Sequence, residues 1–91
     1  MSVSYNTVTV AATATLIIGA DTGRRGCLIT NNDAAVTVYL GSDSSVLTTT
    51  GTPLPAGATL INSGDQEMFK GAIYGIAATG TVDCRYIVWG N

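Results

Sequence analysis

The sequence predicts an all-β fold: an antiparallel β-sandwich, jelly-roll-like or Ig-like, with seven to eight short strands and little or no helix. Thr occurs fourteen times and often alternates with Val, Ile and Ala, which is the period-two pattern of half-buried strands. Turn-forming Gly, Asn, Asp and Pro residues separate many of these stretches at roughly 8–12-residue intervals. No window sustains the apolar spacing of a helix.

The N-terminal part of the chain is predicted to begin with an extended segment. Residues 3–15 form one long edge strand, or two strands with a bend near residues 11–12. The apolar run at residues 16–18 then ends at a glycine. Residues 19–26 (GADTGRRG) are predicted to form a loop or hairpin connection, with three glycines available for positive φ.

Six further strands are predicted, and the last is the strongest. They cover residues 27–30, 35–40, 59–61, 67–70, 72–78 and 81–89. One face of the last strand is expected to face the core, and its side chains are those of Val82, Cys84, Tyr86 and Val88. The opposite face begins polar and ends at Ile87 and Trp89. This pattern indicates either that the strand is covered on both faces there or that these two side chains contact another subunit. Phe69 is also expected in the core.

A chain of 91 residues suffices for one domain, residues 1–91, with residues 1–15 as a strand or arm available for assembly. The serine- and threonine-rich tract at residues 41–51 is therefore a surface loop and not a linker. Val46 and Leu47 are adjacent apolar residues within this loop. They are expected either to form a short strand or to pin the loop to a neighbouring chain.

Composition argues against several classes of function. Four basic residues and a net charge of −2 do not favour nucleic-acid binding, which needs clustered Lys and Arg. No run of 18 apolar residues predicts a membrane span, and the N-terminus lacks the pattern of a signal peptide. Charged residues make up only 11% of the chain, which favours a surface that is partly covered by copies or partners.

The sequence offers little for catalysis, so we expect no enzyme, no cofactor and no metal site. Histidine is absent, which removes the usual general base and most zinc sites. Residues 41–45 (GSDSS) lack the spacing of a nucleophile elbow. Three carboxylates lie in separate predicted turns, one lies on the last strand, and Asp65 and Glu67 are two residues apart, so no local spacing indicates an acid–base pair or a calcium site. Cys27 and Cys84 are expected to be buried free thiols, with a disulfide as the alternative.

Residues 23–26 (GRRG) hold the one local concentration of positive charge. They are predicted to be either a solvated hairpin tip or an ion-pair contact with an acidic neighbour. Nine residues are predicted to contact partners: the two arginines and seven apolar or aromatic residues. This set is Tyr5, Val8, Val10, Arg24, Arg25, Val46, Leu47, Ile87 and Trp89.

The order of several short motifs resembles small all-β virion proteins of tailed bacteriophages, called head-fibre, decoration or cement proteins. The resemblance covers about residues 24–89. Its motifs are RGCLITN at 25–31, VTVYLG at 36–41, GTPLPAG at 51–57 and GAIYGIA at 71–77, with the serine- and threonine-rich tract before the third.

The resemblance implies a structural role on the capsid exterior. It implies that the chain is made in the host cytoplasm, binds the major capsid protein and forms a homo-oligomer, with a trimer favoured. The alternative is a carbohydrate- or receptor-binding β-module of a phage fibre or tail. Such a module needs exposed aromatic platforms, for which the candidates are Tyr5, Tyr39, Tyr74 and Trp89.

Overall fold

The computed structural model describes residues 2–63 and 70–90, which form two packed antiparallel sheets. The strands are β1 (Ser2–Ala11), β2 (Thr15–Ile18), β3 (Arg24–Asn31), β4 (Val38–Gly41), β5 (Thr52–Leu54), β6 (Thr59–Ser63), β7 (Ile73–Ala77) and β8 (Thr81–Gly90). The first sheet has the order β1-β8-β3-β6, and the second has the order β2-β7-β4-β5. The predicted all-β sandwich is confirmed. No helix in the described residues is long and apolar enough to cross a membrane.

The hydrophobic core lies between the two sheets, and β8 contributes the face that its alternation predicted. Val82 and Cys84 are buried, while Tyr86 and Val88 are partly buried and pack against the same cluster. Both cysteines are free and buried. Cys27 lies opposite Val88, four residues along β8 from Cys84, so the two Cα atoms are about 13 Å apart. A disulfide cannot span that distance.

The N-terminal segment forms two strands, which confirms the second of the two predicted arrangements, with a bend near residues 11–12. Residues 12–14 interrupt it, so that β1 lies in the first sheet and β2 in the second. The Thr15 hydroxyl stabilises this corner by accepting from the Ala11 N–H (3.1 Å) and donating to the Thr13 carbonyl (2.9 Å). The corner therefore carries the chain from one layer to the other.

Two of the differences from the predicted strands have an identifiable cause. The strand predicted at residues 35–40 begins only at Val38, because the Asp33 carboxylate accepts hydrogen bonds from the amides of Ala35 (2.9 Å) and Val36 (2.7 Å) and holds a turn there. Strand β5 was not predicted, because it is short and contains Pro53. An edge strand tolerates proline, since one side of its backbone has no partner.

The glycines of the 19–26 segment do not adopt the expected positive φ. Among the described residues positive φ occurs at Gly57 and Gly80, and β3 already begins at Arg24. The predicted strand at residues 67–70 and the predicted core position of Phe69 lie outside the described residues.

Candidate partner-binding surface

The outward face of the first sheet carries a row of apolar side chains that crosses all four strands. In the strand register, Tyr5 of β1 lies opposite Ile87 of β8, which lies opposite Leu28 of β3. Leu28 in turn lies opposite Ile61 of β6. Two more apolar residues, Val3 and Trp89, form a second pair beside this row. We call these residues the apolar patch: Val3, Tyr5, Leu28, Ile61, Ile87 and Trp89.

The apolar patch is open to solvent over most of its width. Tyr5 is 80% exposed, Ile61 61%, Val3 59% and Ile87 39%. Single exposed apolar side chains are ordinary on protein surfaces, but contiguous groups of them mark interaction sites. The alignment of these four exposed side chains on one face therefore identifies a candidate contact surface.

The indole ring of Trp89 lies against Gly26, its neighbour on β3. Gly26 lies opposite Trp89, and a Cβ atom at position 26 would overlap the indole ring. The missing side chain thus provides the space that the ring occupies. Trp89 is half-buried.

The same outward face becomes polar beyond the apolar patch. Thr7 and Thr30 both lie opposite Arg85, and the hydroxyl groups of Thr30 and Thr59 are 2.9 Å apart. Arg85 forms an exposed ion pair with Asp83 at 3.1 Å. A concavity of about 520 Å³ lies where the two regions meet, and its lining includes Tyr5, Thr7, Leu28, Thr30, Arg85 and Ile87.

Five of the nine predicted contact residues have solvent-accessible side chains. Tyr5 of β1 comes together with Ile87 and Trp89 of β8 in the apolar patch, although β1 and β8 lie at opposite ends of the sequence. Arg25 is exposed on β3. Leu47 is 54% exposed, but it lies in the loop after β4, away from the other candidates. The structure therefore gathers three of the predicted residues and leaves two separate.

The other four predicted contact residues face the interior of their own chain. Val10 is fully buried in the core, and Val8 packs against that core, because the second sheet covers the C-terminal part of β1. Val46 is 7% exposed. A Cβ atom at Gly41 would lie 2.6 Å from the Val46 side chain, so Val46 pins the loop to its own strand and not to a neighbouring chain.

Arg24 is the fourth predicted contact residue that faces its own chain. It is 2% exposed, and its guanidinium donates to the carbonyls of Gly19 (3.1 Å) and Gly71 (2.7 Å). The interpretation of residues 23–26 as a solvated tip is wrong for Arg24, because this buried side chain binds the backbone of two other segments of its own chain. The adjacent Arg25 is exposed.

Sequence reasoning missed three members of the apolar patch: Val3, Leu28 and Ile61. Alternation could have found Leu28, since its neighbours Cys27 and Ile29 are core residues and an adjacent strand residue faces the other way. Nothing local distinguishes Ile61 as outward-facing. Its assignment needs the register between β6 and β3.

Several ionisable groups among the described residues have pKa values that local interactions shift. Burial, assisted by the charges of Asp83 and Asp33, raises the pKa of the Cys84 thiol to about 11, which disfavours the reactive thiolate. The pKa of Asp83 is lowered, first by a hydrogen bond from the Asn32 side chain. The pKa of Asp43 is lowered by hydrogen bonds from Ser45. Within residues 2–63 and 70–90, no three potential metal-ligating side chains lie together.

The four aromatic candidates for a sugar platform lie on two opposite faces. Tyr5 and Trp89 belong to the apolar patch. Tyr39 lies opposite Pro53, and Tyr74 lies opposite Leu16, on the second sheet.

No protein-family model, curated protein or solved structure matches the chain.

Proposed function

We propose that this protein is a structural virion component of a tailed bacteriophage, a decoration or cement protein that binds the capsid exterior and stabilises it. The apolar patch is the observation that carries this proposal. The resemblance of its motifs to those of small virion proteins supports the same role. The partner is the major capsid protein, and the resemblance implies a homo-oligomer, with a trimer favoured.

The composition of the surface suits permanent attachment. Covering exposed apolar surface contributes about 25 cal/mol per Å² before the costs of association. Only 11% of the residues are charged, so little charge must be desolvated when the apolar patch is covered. Many copies that bind one symmetric shell, and also contact one another, add their individual contacts through avidity.

Co-sedimentation with purified capsids that lack this protein tests the proposal. The wild-type chain is expected to pellet with the capsids. The double variant Ile61→Ser/Ile87→Ser, which removes two exposed side chains of the apolar patch, is expected to bind at least ten-fold more weakly. Leu47→Ser is the matched control, because Leu47 is equally apolar, 54% exposed and outside the patch. Wild-type protein that stays in the supernatant overturns the proposal.

A carbohydrate- or receptor-binding module is the second candidate function, and one observation favours it. The exposed ring of Tyr5 borders the concavity that is also lined by Asn6, Thr30 and Arg85. An aromatic face beside amide, hydroxyl and guanidinium groups suits the apolar and polar sides of a sugar ring. Glycan-array binding that is lost in Arg85→Ala, without capsid binding by the wild type, would favour this candidate.

A further inference from the structure

Among the strands of the described residues, β1 is a long edge strand that pairs with a neighbour on one side only. It runs for ten residues, and it pairs with β8 without a register shift from Ser2 opposite Gly90 to Ala11 opposite Thr81. Its sequence, SVSYNTVTVA, contains no charge and no proline. Most natural edge strands are protected against pairing by charges, prolines, bulges or short length. Strand β1 has none of these protections.

The other edges of the two sheets differ in this respect. Strands β2 and β5 are four and three residues long, and β5 contains Pro53. Strand β6 has five residues. Within the part of the chain that the structure describes, a long, regular edge is therefore a feature of β1 and does not recur at the other three edges of the sandwich.

Two hydrogen bonds show which amides of β1 point away from β8. The Thr7 N–H donates to the Asn6 side chain (2.8 Å), and the Ala11 N–H donates to the Thr15 hydroxyl (3.1 Å). In an antiparallel ladder, alternate residues direct their backbone groups to the same neighbour. The amides of the odd-numbered residues, which include Val3, Tyr5 and Thr9, therefore point towards the open edge.

We propose that β1 pairs antiparallel with β1 of a second copy of this chain, which joins the two first sheets into one sheet of eight strands. The odd-numbered residues of the two copies must face each other, because only their backbone groups point outward. The register with Asn6 opposite Asn6 of the second copy meets this condition. It forms nine residue pairs from position 2 to position 10 and leaves the Ala11–Thr15 hydrogen bond intact. The Thr7 N–H exchanges its bond to the Asn6 side chain for one to the Tyr5 carbonyl of the second copy.

Side-chain complementarity favours a second copy over an unrelated strand. In this register Tyr5 lies opposite Thr7 and Val3 lies opposite Thr9 of the second copy. Pairs of aromatic or β-branched residues stabilise antiparallel sheets, and no like charges face each other. The two-fold axis runs perpendicular to the sheet, so both apolar patches point in the same direction. Such a dimer presents two patches to one surface.

This contact closes at two copies, because identical strands that pair antiparallel use up each other's edge. The trimer implied by the resemblance to virion proteins would need a different contact. The dimer does not depend on the proposed function. A dimer that does not bind capsids leaves this inference standing, and a monomer that binds capsids leaves the proposed function standing.

Disulfide trapping tests the register. Across the new edge Asn6 forms a non-hydrogen-bonded pair with its copy, in which the Cα atoms lie about 4.5 Å apart. That distance permits a disulfide. Asn6→Cys is expected to run mainly as a covalent dimer after mild oxidation. The native thiols are buried and free. Thr49→Cys, exposed in the loop after β4, is the control and is expected to stay monomeric on the gel. Failure of Asn6→Cys to cross-link overturns the inference.

Sedimentation equilibrium tests the edge itself. The wild-type chain is expected at an even multiple of its 9.3 kDa mass: two copies from this contact alone, and six if a separate trimer contact also forms. Thr7→Pro removes an amide that points away from β8, so the monomer keeps its ladder while dimerisation weakens at least ten-fold. Thr7→Val keeps the amide and is expected to stay dimeric. A monomeric wild type, or a folded Thr7→Pro that still dimerises, overturns the inference. If Thr7→Pro does not fold, the Asn6→Cys result decides.

Discussion

At the scale of single residues, Asn31 shows how one buried polar side chain fixes several loops. It is fully buried at the end of β3. Its amide nitrogen donates to the carbonyls of Val36 and Leu54, both at 2.9 Å, and its oxygen accepts from the Asp33 N–H at 3.0 Å. The sequence indicated only a turn here. The structure makes Asn31 a link between that turn and β5.

We expect Asn31→Ala to lower the free energy of unfolding by about 3 kcal/mol, because two buried carbonyls lose their donors. Urea denaturation followed by circular dichroism measures this change. Asn32→Ala is the control: Asn32 is exposed and donates to the exposed Asp83 carboxylate at 3.2 Å. Its effect is expected to stay within about 0.5 kcal/mol. Equal effects of the two substitutions would contradict the structural role of Asn31.

At the scale of elements, the loop after β4 is an ordered structure folded against its own sheet. Local hydrogen bonds shape it, including Ser45 N–H to Asp43 Oδ1 (2.9 Å) and Leu47 N–H to Thr50 Oγ1 (3.1 Å). Val46 packs over Gly41 at the end of β4. The loop does not form the short strand considered from its sequence, and its buried apolar residue anchors it within the chain.

The neighbouring residues of this loop provide a matched pair of substitutions. Val46→Ala is expected to reduce the free energy of unfolding by about 1–2 kcal/mol, because it leaves a cavity above Gly41. Leu47→Ala removes a larger side chain, but that side chain is 54% exposed, so its effect is expected to stay within about 0.5 kcal/mol. Thermal unfolding of both variants measures the difference. A larger loss for Leu47→Ala would contradict this loop structure.

At the scale of the whole molecule, the two outward faces of the sandwich differ. The loop after β4 covers part of the second sheet, where a Cβ atom at Gly51 would lie 2.7 Å from the Tyr39 side chain. Within residues 2–63 and 70–90, no loop covers the apolar patch of the first sheet in this way, and the edge strand β1 pairs on one side only. Both surfaces proposed for contacts therefore belong to the same sheet, which leaves the second sheet to complete the core.

The pH dependence of stability also belongs to the whole molecule. The pKa values of Asp33, Asp43 and Asp83 are lowered by hydrogen bonds in the folded state. Each carboxylate therefore contributes stability above its unfolded pKa of about 3.9, and this contribution is lost as the pH falls through the folded value. Since the chain has no histidine, we expect a melting temperature that is nearly constant from about pH 5 to 8 and falls below about pH 4. A transition centred near pH 6 would contradict this expectation.

The sequence by itself determined the fold class, most strands and the two faces of β8. These features depend on alternation between adjacent residues, which a chain encodes locally. Alternation also indicated that Ile87 and Trp89 face outward. It could not show that the second sheet covers Val10 or that Arg24 points inward, because burial depends on which element packs above a residue.

Only the tertiary structure decided how the candidate surface is assembled. Tyr5, Leu28, Ile61 and Ile87 lie in four separate strands, and they form one row because the strand registers align them. Register arises from pairing between segments distant in sequence, and a shift of one residue would turn a whole strand's side chains to the other face. No local pattern contains that information. The sequence therefore indicated outward-facing apolar residues on β8, whereas identifying the residues that join them on the other strands required the folded sheet.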